Sequence, residues 1–268
     1  MRKSILELST IHKTFQKGTP NENHVLRGLD LKVFKGDFIS IIGGNGSGKS
    51  TLLNAVAGVF SLDKGNIILN QTDITKLPEE KRAFAISRVF QDPMMGTAPR
   101  MTVAENLAIA LNRGNKRSFK RTLNEENYRT FQRMLKDVGL NLENKINNDV
   151  GALSGGQRQV IALLMATIKQ PEILLLDEHI AALDPKATEQ VMELTERRIA
   201  QNNLTSLMVT HNMNHASRYG NRLIMMDKGR VVLDISGYEK DNLTVSKLIN
   251  LFNKEVNDEM INNDVLLY

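Results

Sequence analysis

No cysteine and no tryptophan occur among the 268 residues of this chain. Without cysteine, neither a disulfide framework nor a thiolate metal site can form, which suits a cytosolic protein. Aromatic residues make up only 5%. No apolar run reaches the ~18 residues needed to cross a bilayer. The best runs, Val160–Ile168 and Ile173–Leu176, read as a core helix and a core strand. The start, Met1-Arg2-Lys3-Ser4, leads into a short alternating run, Ile5–Leu8, and not into an apolar h-region, so no signal peptide is expected. If the protein serves a membrane, it does so through a partner. Internal repeats and low-complexity segments are also missing.

Hydrophobic residues make up 41% and charged residues 24%, the balance of a soluble globular chain with a sizeable core. The length fits one large α/β domain or a domain carrying an inserted subdomain. The formal net charge is +5. An excess of this size serves general solubility; a larger one would point to nucleic acid or an anionic membrane. Lys and Arg are spread along the chain, densest at Arg113–Arg121, and no nucleic-acid partner is expected.

The first third reads as strands and turns. Ile5–Leu8, Leu29–Phe34 and Phe38–Ile42 are apolar or alternating runs of strand length. Gly18–Asn23 is a turn-forming loop, and Thr51–Ala57 looks helical. In the middle, Thr102–Leu111 and Asn124–Val138 carry apolar residues at helical spacing, and Thr102 with Glu105 forms a capping-box signature. No convincing strand lies between Val89 and Ile173, so residues of about 92–155 read as an inserted helical subdomain. The last third returns to an α/β rhythm: strand Ile173–Leu176, helix Lys186–Ala200, strand Leu204–Val209, a short helix near Asn212–Tyr219. Arg222–Met226 and Arg230–Asp234 look like a hairpin turned at Asp227–Gly229. Residues 241–268 are expected to hold a C-terminal helix and tail, with Asn253–Tyr268 reading as a frayed end.

Gly43-Gly44-Asn45-Gly46-Ser47-Gly48-Lys49-Ser50 fits the phosphate-loop pattern, between an apolar strand and a helix opened by Thr51. Glycines let backbone N–H groups curl around phosphate oxygens, and the helix adds the positive end of its dipole. Lys49 supplies a point charge for the β- and γ-phosphates, and the Ser50 hydroxyl can hold Mg²⁺. By itself the motif indicates a phosphate-binding protein and also fits a glycine-rich turn without a ligand.

The run Ile173–Leu176 ends in Asp177-Glu178. A carboxylate at the carboxyl end of a buried parallel strand sits where α/β folds bind ligands. Asp177 would hold Mg²⁺ and Glu178 would polarise a water as general base. An isolated pair of this kind also fits a solvated acidic turn. Leu153-Ser154-Gly155-Gly156-Gln157 precedes the apolar helix. Ser154 can cap a helix whose first glycines expose backbone N–H groups, which makes a second anion site. Two phosphate-binding elements imply two nucleotides, or one nucleotide shared between chains.

The LSGGQ element, lying between the helical insert and the acidic strand end, resembles the signature of the ATP-binding cassette (ABC) family. The remaining landmarks fall in the same order. Gln91, after the strand Ile86–Phe90, is similar to the Q-loop glutamine, and Ala182-Leu183-Asp184 to the D-loop. His211 resembles the switch histidine and Phe15 the aromatic that stacks on adenine. The resemblance covers roughly Ile5 to Asp234.

It implies an α/β fold: a P-loop NTPase ABC ATPase core, with a mixed sheet, flanking helices, an antiparallel β subdomain and the helical insert, within residues 1–240. It implies ATP and Mg²⁺ as ligands and a head-to-tail homodimer. Each ATP would lie between the phosphate loop of one chain and Ser154, Gly155, Gly156 and Gln157 of the other. Lys49, Gln91, Glu178 and His211 would act in hydrolysis, Ser50, Gln91 and Asp177 on the metal, and Asp184 across the dimer. One departure stands out: the family usually has Pro after the catalytic Glu, where this chain has His179, which alters the turn or adds a titratable group. The segments Asp177–Pro185, His211–Met213 and Tyr219–Leu223 resemble bacterial transport ATPases that pair with a permease and a binding lipoprotein. Some of these systems look like tryptophan or tyrosine importers.

The expected role is therefore the ATPase subunit of a membrane importer at the cytoplasmic face. A separate permease and an extracytoplasmic binding protein are its expected partners. A soluble cassette ATPase, for example of the iron–sulfur assembly type, is the competing expectation. A small-molecule kinase would leave LSGGQ without a role.

Overall fold

The computed structural model describes residues 3–115 and 122–255, with the side chain of residue 255 left aside. Residues 116–121, which hold most of the basic stretch, and residues 256–268 of the expected tail lie outside the described residues. The chain divides into two compact units, residues 1–82 with 204–268, and residues 83–203.

In chain order, the first unit begins with strands β1 (Ser4–Phe15), β2 (Asn23–Phe34) and β3 (Phe38–Ile42) and helix α1 (Lys49–Ala57). Strands β4 (Lys64–Leu69) and β5 (Thr72–Asp73) and the short helix α2 (Glu79–Arg82) follow. The second unit holds β6 (Ile86–Val89), α3 (Val103–Leu111), α4 (Glu125–Lys136), α5 (Gly155–Thr167), β7 (Ile173–Asp177) and α6 (Pro185–Asn202). The chain returns to the first unit with β8 (Thr205–Val209), α7 (Met213–Arg218), β9 (Arg222–Asp227), β10 (Arg230–Ser236), α8 (Tyr238–Asp241) and α9 (Val245–Glu255).

Two kinds of sheet occur in the first unit. One is antiparallel, in the order β2-β1-β4-β5. In the other, β3 lies parallel to both β8 and β9, and β10 closes the edge antiparallel to β9. Every residue of β3 and β8 is buried, as parallel strands covered on both faces require. An ion-pair network ties this core together. Arg222 donates to Asp37 at 3.0 Å and to Asp234 at 2.6 Å, and its Nη1 also donates to the Lys32 carbonyl. The Asp234 hydrogen bond raises the Arg222 pKa above its ordinary value against the cost of burial.

β1 and β2 run much further than the alternating pattern predicts. Register shifts between Leu8 and Ile11, Ile11 and His12, and Lys13 and Thr14 mark irregular pairing. Each extra residue flips the inside–outside alternation, so the period of 2 is lost although pairing continues. β4 is hidden in the sequence for a related reason. Its Lys-Gly-Asn start reads as a turn, yet Gly65 sits where a Cβ would lie 2.4 Å from the Thr10 carbonyl oxygen. A close backbone crossing, not a turn, requires that glycine.

In the second unit β6 and β7 are parallel, with Val89 opposite Leu176. Leu174–Leu176 and the α5 residues Val160, Ile161, Leu163 and Leu164 are fully buried. At about 2 kcal/mol per buried aliphatic side chain, they form this unit's anchor. Thr102 caps α3 in a complete capping box with Glu105, as its sequence predicts. At the far end of the chain α9 continues through residue 255, so positions 253–255 are helical where the composition suggests fraying.

Candidate nucleotide site

β3 delivers the chain into the glycine-rich loop, and α1 begins at Lys49. The loop's shape is set by backbone that only glycine adopts easily: Gly43 has φ 151°, Gly46 φ 77° and Gly48 φ 99°. The β9–β10 hairpin supports it from behind. The Gly229 N–H donates to the Ser47 carbonyl at 3.0 Å, and a Cβ on Gly43 would lie 2.2 Å from the Met226 carbonyl oxygen. Lys49 is 5% exposed, and its ammonium donates to the Gly43 and Gly44 carbonyls at 2.8 and 3.0 Å. Asn45, Gly46 and Ser50 face solvent, and Thr51 is half-buried. The Ser47 hydroxyl is buried and has no hydrogen-bond partner among the described residues. A buried orphan hydroxyl beside a concave run of backbone fits an anion such as a nucleotide phosphate.

β8 lies beside β3 and ends at the same edge, with Ile41 opposite Val209. This places half-buried His211 at the carboxyl edge that carries the phosphate loop. Asn212 then caps α7 by accepting from the His215 N–H at 3.0 Å. Burial, helped by nearby Arg218, lowers the His215 pKa from its ordinary value. Phe15 closes β1 and is 36% exposed. It meets Phe60 edge-to-face at 5.3 Å, with the Lys13 ammonium over both rings. An exposed ring held in place by neighbours is suited to stacking on a flat ligand.

The second unit has a strand edge of its own. Because β6 and β7 are parallel and in register, Gln91 and Asp177-Glu178 leave their strands at the same end. Gln91 is exposed, and Asp92 caps the following 3-10 turn Pro93–Gly96 by accepting from the Met94 N–H. Asp177 pairs with Arg88 at 2.5 Å, both side chains nearly buried. Sequence reading passes over Arg88. The available signal is a guanidinium inside the short strand Ile86–Val89, between Ser87 and Val89, where a buried charge needs a carboxylate partner. Glu178 adopts φ 46°, rare for a residue with a Cβ.

Ser154 caps α5 in a reciprocal box: its hydroxyl accepts from the Gln157 N–H, and Gln157 Oε1 accepts from the Ser154 N–H. The Gln157 amide also accepts from Lys145 and donates to the Leu140 carbonyl, so its side chain holds the turn together. Ser154 and Gly155 are exposed and Gly156 is half-buried. Asp184 caps α6 by accepting from the Ala187 N–H at 3.0 Å.

Among the described residues no group of three or more His, Asp or Glu could hold a metal by itself. Mg²⁺ commonly takes one or two protein oxygens and completes its shell with phosphate and water; the Ser50 hydroxyl on α1 and the Asp177 carboxylate at the end of β7 are oxygens of that kind. No helix among the described residues is long and apolar enough to cross a membrane.

Residues 26–181 match the family model described as ABC transporter. A tyrosine transport ATP-binding protein of Clostridioides difficile is 45% identical over 248 residues, covering 92% of this chain and 98% of that protein. A spermidine/putrescine import ATP-binding protein of Haemophilus influenzae is 34% identical over 94% of this chain, which spans 64% of that protein's length. Among solved structures, an ATP-binding cassette dimer in a post-hydrolysis state with ADP and Pi superposes with a TM-score of 0.73. Its identity is 28%, over 87% of this chain and 98% of that one. A nucleotide-free cassette from an ABC transporter gives 0.75 at 27% identity, over 95% of this chain and 98% of that one. With its phosphate loop, acidic strand end and capped LSGGQ helix, this chain belongs to the ABC transporter family and is an ATP-binding, ATP-hydrolysing subunit.

Proposed function

We propose that this chain is the ATPase subunit of an importer, energising a separate permease from the cytoplasmic face of the membrane. The observation that carries the ATPase part is the intact set of chemical groups: Lys49 and Ser50 at the head of α1, Asp177 and Glu178 at the end of β7. The importer part is supported by likeness to two import or transport ATPases, one of them a tyrosine transport protein. An aromatic amino acid, delivered by an extracytoplasmic binding protein, is the proposed cargo.

In this reading Phe15 stacks on the adenine. The loop N–H groups from Gly43 to Thr51, with Lys49, hold the phosphates and need no reorganisation as charge shifts toward the leaving oxygen. Ser50, Asp177 and Gln91 would hold Mg²⁺, which would supply positive charge against the phosphate oxygens. Glu178 accepts the proton of the attacking water, and His211 holds that water and the γ-phosphate in line. Two chains pair head to tail, with Ser154–Gln157 of each closing over the nucleotide of the other and Asp184 lying across the interface. The segment of about 92–155, with the exposed Gln91 turn, is the proposed receiver of the permease.

Glu178→Gln tests the chemistry. It keeps the size and polarity of the side chain and removes the base, so hydrolysis should fall about 100-fold or more, in the range expected for general-base loss. ATP binding should stay within about twofold, and an ATP-bound dimer should accumulate. Normal hydrolysis by this variant would remove Glu178 from the mechanism. Affinity capture of the chain from detergent-solubilised membranes should bring a multi-span permease with it; a wholly soluble set of partners would overturn the transport reading.

A further inference from the structure

Next to Glu178 stands a buried imidazole that the steps above do not use. His179 is 1% exposed, and its Nε2 lies 3.2 Å from the hydroxyl oxygen of Thr195, itself fully buried on α6. The Thr195 hydroxyl has one hydrogen and gives it to the Val191 carbonyl at 2.7 Å. Toward His179 its oxygen can only accept, which fixes the proton on Nε2. The bond is therefore directional: the ring donates to the interior of α6, about three turns beyond that helix's start.

This anchor sits at a backbone under local strain. Glu178 holds φ 46°, a conformation that residues with a Cβ seldom adopt and that persists where the surroundings impose it. Around it the chain makes two consecutive turns, with the Ala181 N–H donating to the Glu178 carbonyl at 3.0 Å and the Leu183 N–H to the Ile180 carbonyl at 3.2 Å. At the far end Asp184 caps α6. His179 and Ile180 are buried, while Ala181, Ala182 and Asp184 are exposed. The segment from the base to the helix cap is thus fastened at both ends to one helix, and His179 is the fastening beside the base.

We propose that His179 is a positioning residue for hydrolysis: its hydrogen bond to Thr195 fixes the left-handed turn that aims the Glu178 carboxylate and sets the Ala181–Asp184 loop. The proposal rests on the reading of Glu178 as general base. Angstrom-scale misplacement of a reacting group costs up to about 100-fold in rate, while substrate affinity, which depends on other groups, changes little.

The test compares five variants of the full chain, four single and one double, with Glu178→Gln in one ATPase assay. His179→Leu keeps the bulk and removes the donor, and kcat should drop about tenfold with the KM for ATP within about twofold. His179→Gln, whose Nε2 can reach the same oxygen, should recover most of that loss. Thr195→Val removes the acceptor with the same shape and should reproduce the effect, while Thr195→Ser should not. Combining His179→Leu with Thr195→Val should cost no more than either alone, as expected for two members of one interaction. Thermal unfolding accompanies each. If His179→Leu does not fold, the near-isosteric Thr195 pair decides. Unchanged kcat in His179→Leu or in Thr195→Val, with Glu178→Gln inactive, overturns this inference and leaves the base assignment standing. Equal losses in His179→Leu and His179→Gln that follow the melting temperature also overturn it. Full activity in Glu178→Gln overturns both.

Discussion

The two glycine-rich segments of this molecule look alike on paper and work by different physics. In the phosphate loop, Gly43, Gly46 and Gly48 have positive φ, and a Cβ on Gly43 would strike a backbone carbonyl. Those glycines are demanded by the chain's own conformation. In the LSGGQ element neither Gly155 nor Gly156 has a positive φ. A Cβ on Gly155 would make only ordinary contact, 3.7 Å from Leu183 Cδ2. Among the described residues nothing needs Gly155 to be glycine. On the proposed reading, the nucleotide and chain that approach from outside do. One segment is shaped by what lies behind it, the other by what comes to meet it.

The sharpest way to break this contrast is Gly43→Ala. The new methyl would sit 2.2 Å from Met226 O and 2.7 Å from Ser47 Oγ. We expect a loss of about 3 kcal/mol or more and of ATP binding, read by thermal unfolding and calorimetric titration. A stable Gly43→Ala protein would show that the hairpin can give way. Gly156→Ala should cost less. Its Cβ would lie 2.8 Å from Ala187 Cβ across the α5–α6 packing, and a small helix shift of about 1–2 kcal/mol should absorb it. Ser154→Ala removes one half of the capping box and should cost about 1 kcal/mol in a denaturant midpoint. Gly155→Ala sharpens the comparison most although its effect on stability is the smallest. Alanine favours a helix over glycine, so stability should hold or rise by up to about 0.5 kcal/mol. ATP hydrolysis should nonetheless fall at least about tenfold, because the methyl would meet the approaching partner. Retained activity in that variant would mean that this surface meets nothing.

Much of the site is legible residue by residue. The phosphate-loop motif Gly43–Ser50 follows an apolar strand and runs into a helix as expected, though the helix begins at Lys49, two residues before the expected Thr51. The capping box at Thr102 and the cap at Ser154 form as their sequences predict, because a cap is a local arrangement of four residues; that Gln157 completes a box at Ser154 is seen in the structure. The hairpin at Asp227–Gly229 follows from its turn residues. The length of β1 was not legible, because bulges break the alternation that marks a strand. Nor was β4, whose glycine answers to a strand 55 residues earlier in the chain, Thr10 to Gly65. Phe15 reads equally as a core aromatic, and only its 36% exposure beside Phe60 shows a ring turned outward.

What the sequence alone determined is the chemistry that one segment can carry: glycines that permit a phosphate cradle, a lysine and serine at a helix start, two carboxylates at a strand end. These are short-range facts, since spacing within a few residues fixes them. Tertiary structure decided which groups hold those segments in place. Arg88 reaches Asp177 because β6 and β7 run parallel, and His179 reaches Thr195 because α6 folds back along the chain that leads into it. Partners 89 and 16 residues apart have no spacing rule to announce them. Only packing, which gives most buried polar groups a partner, selects them.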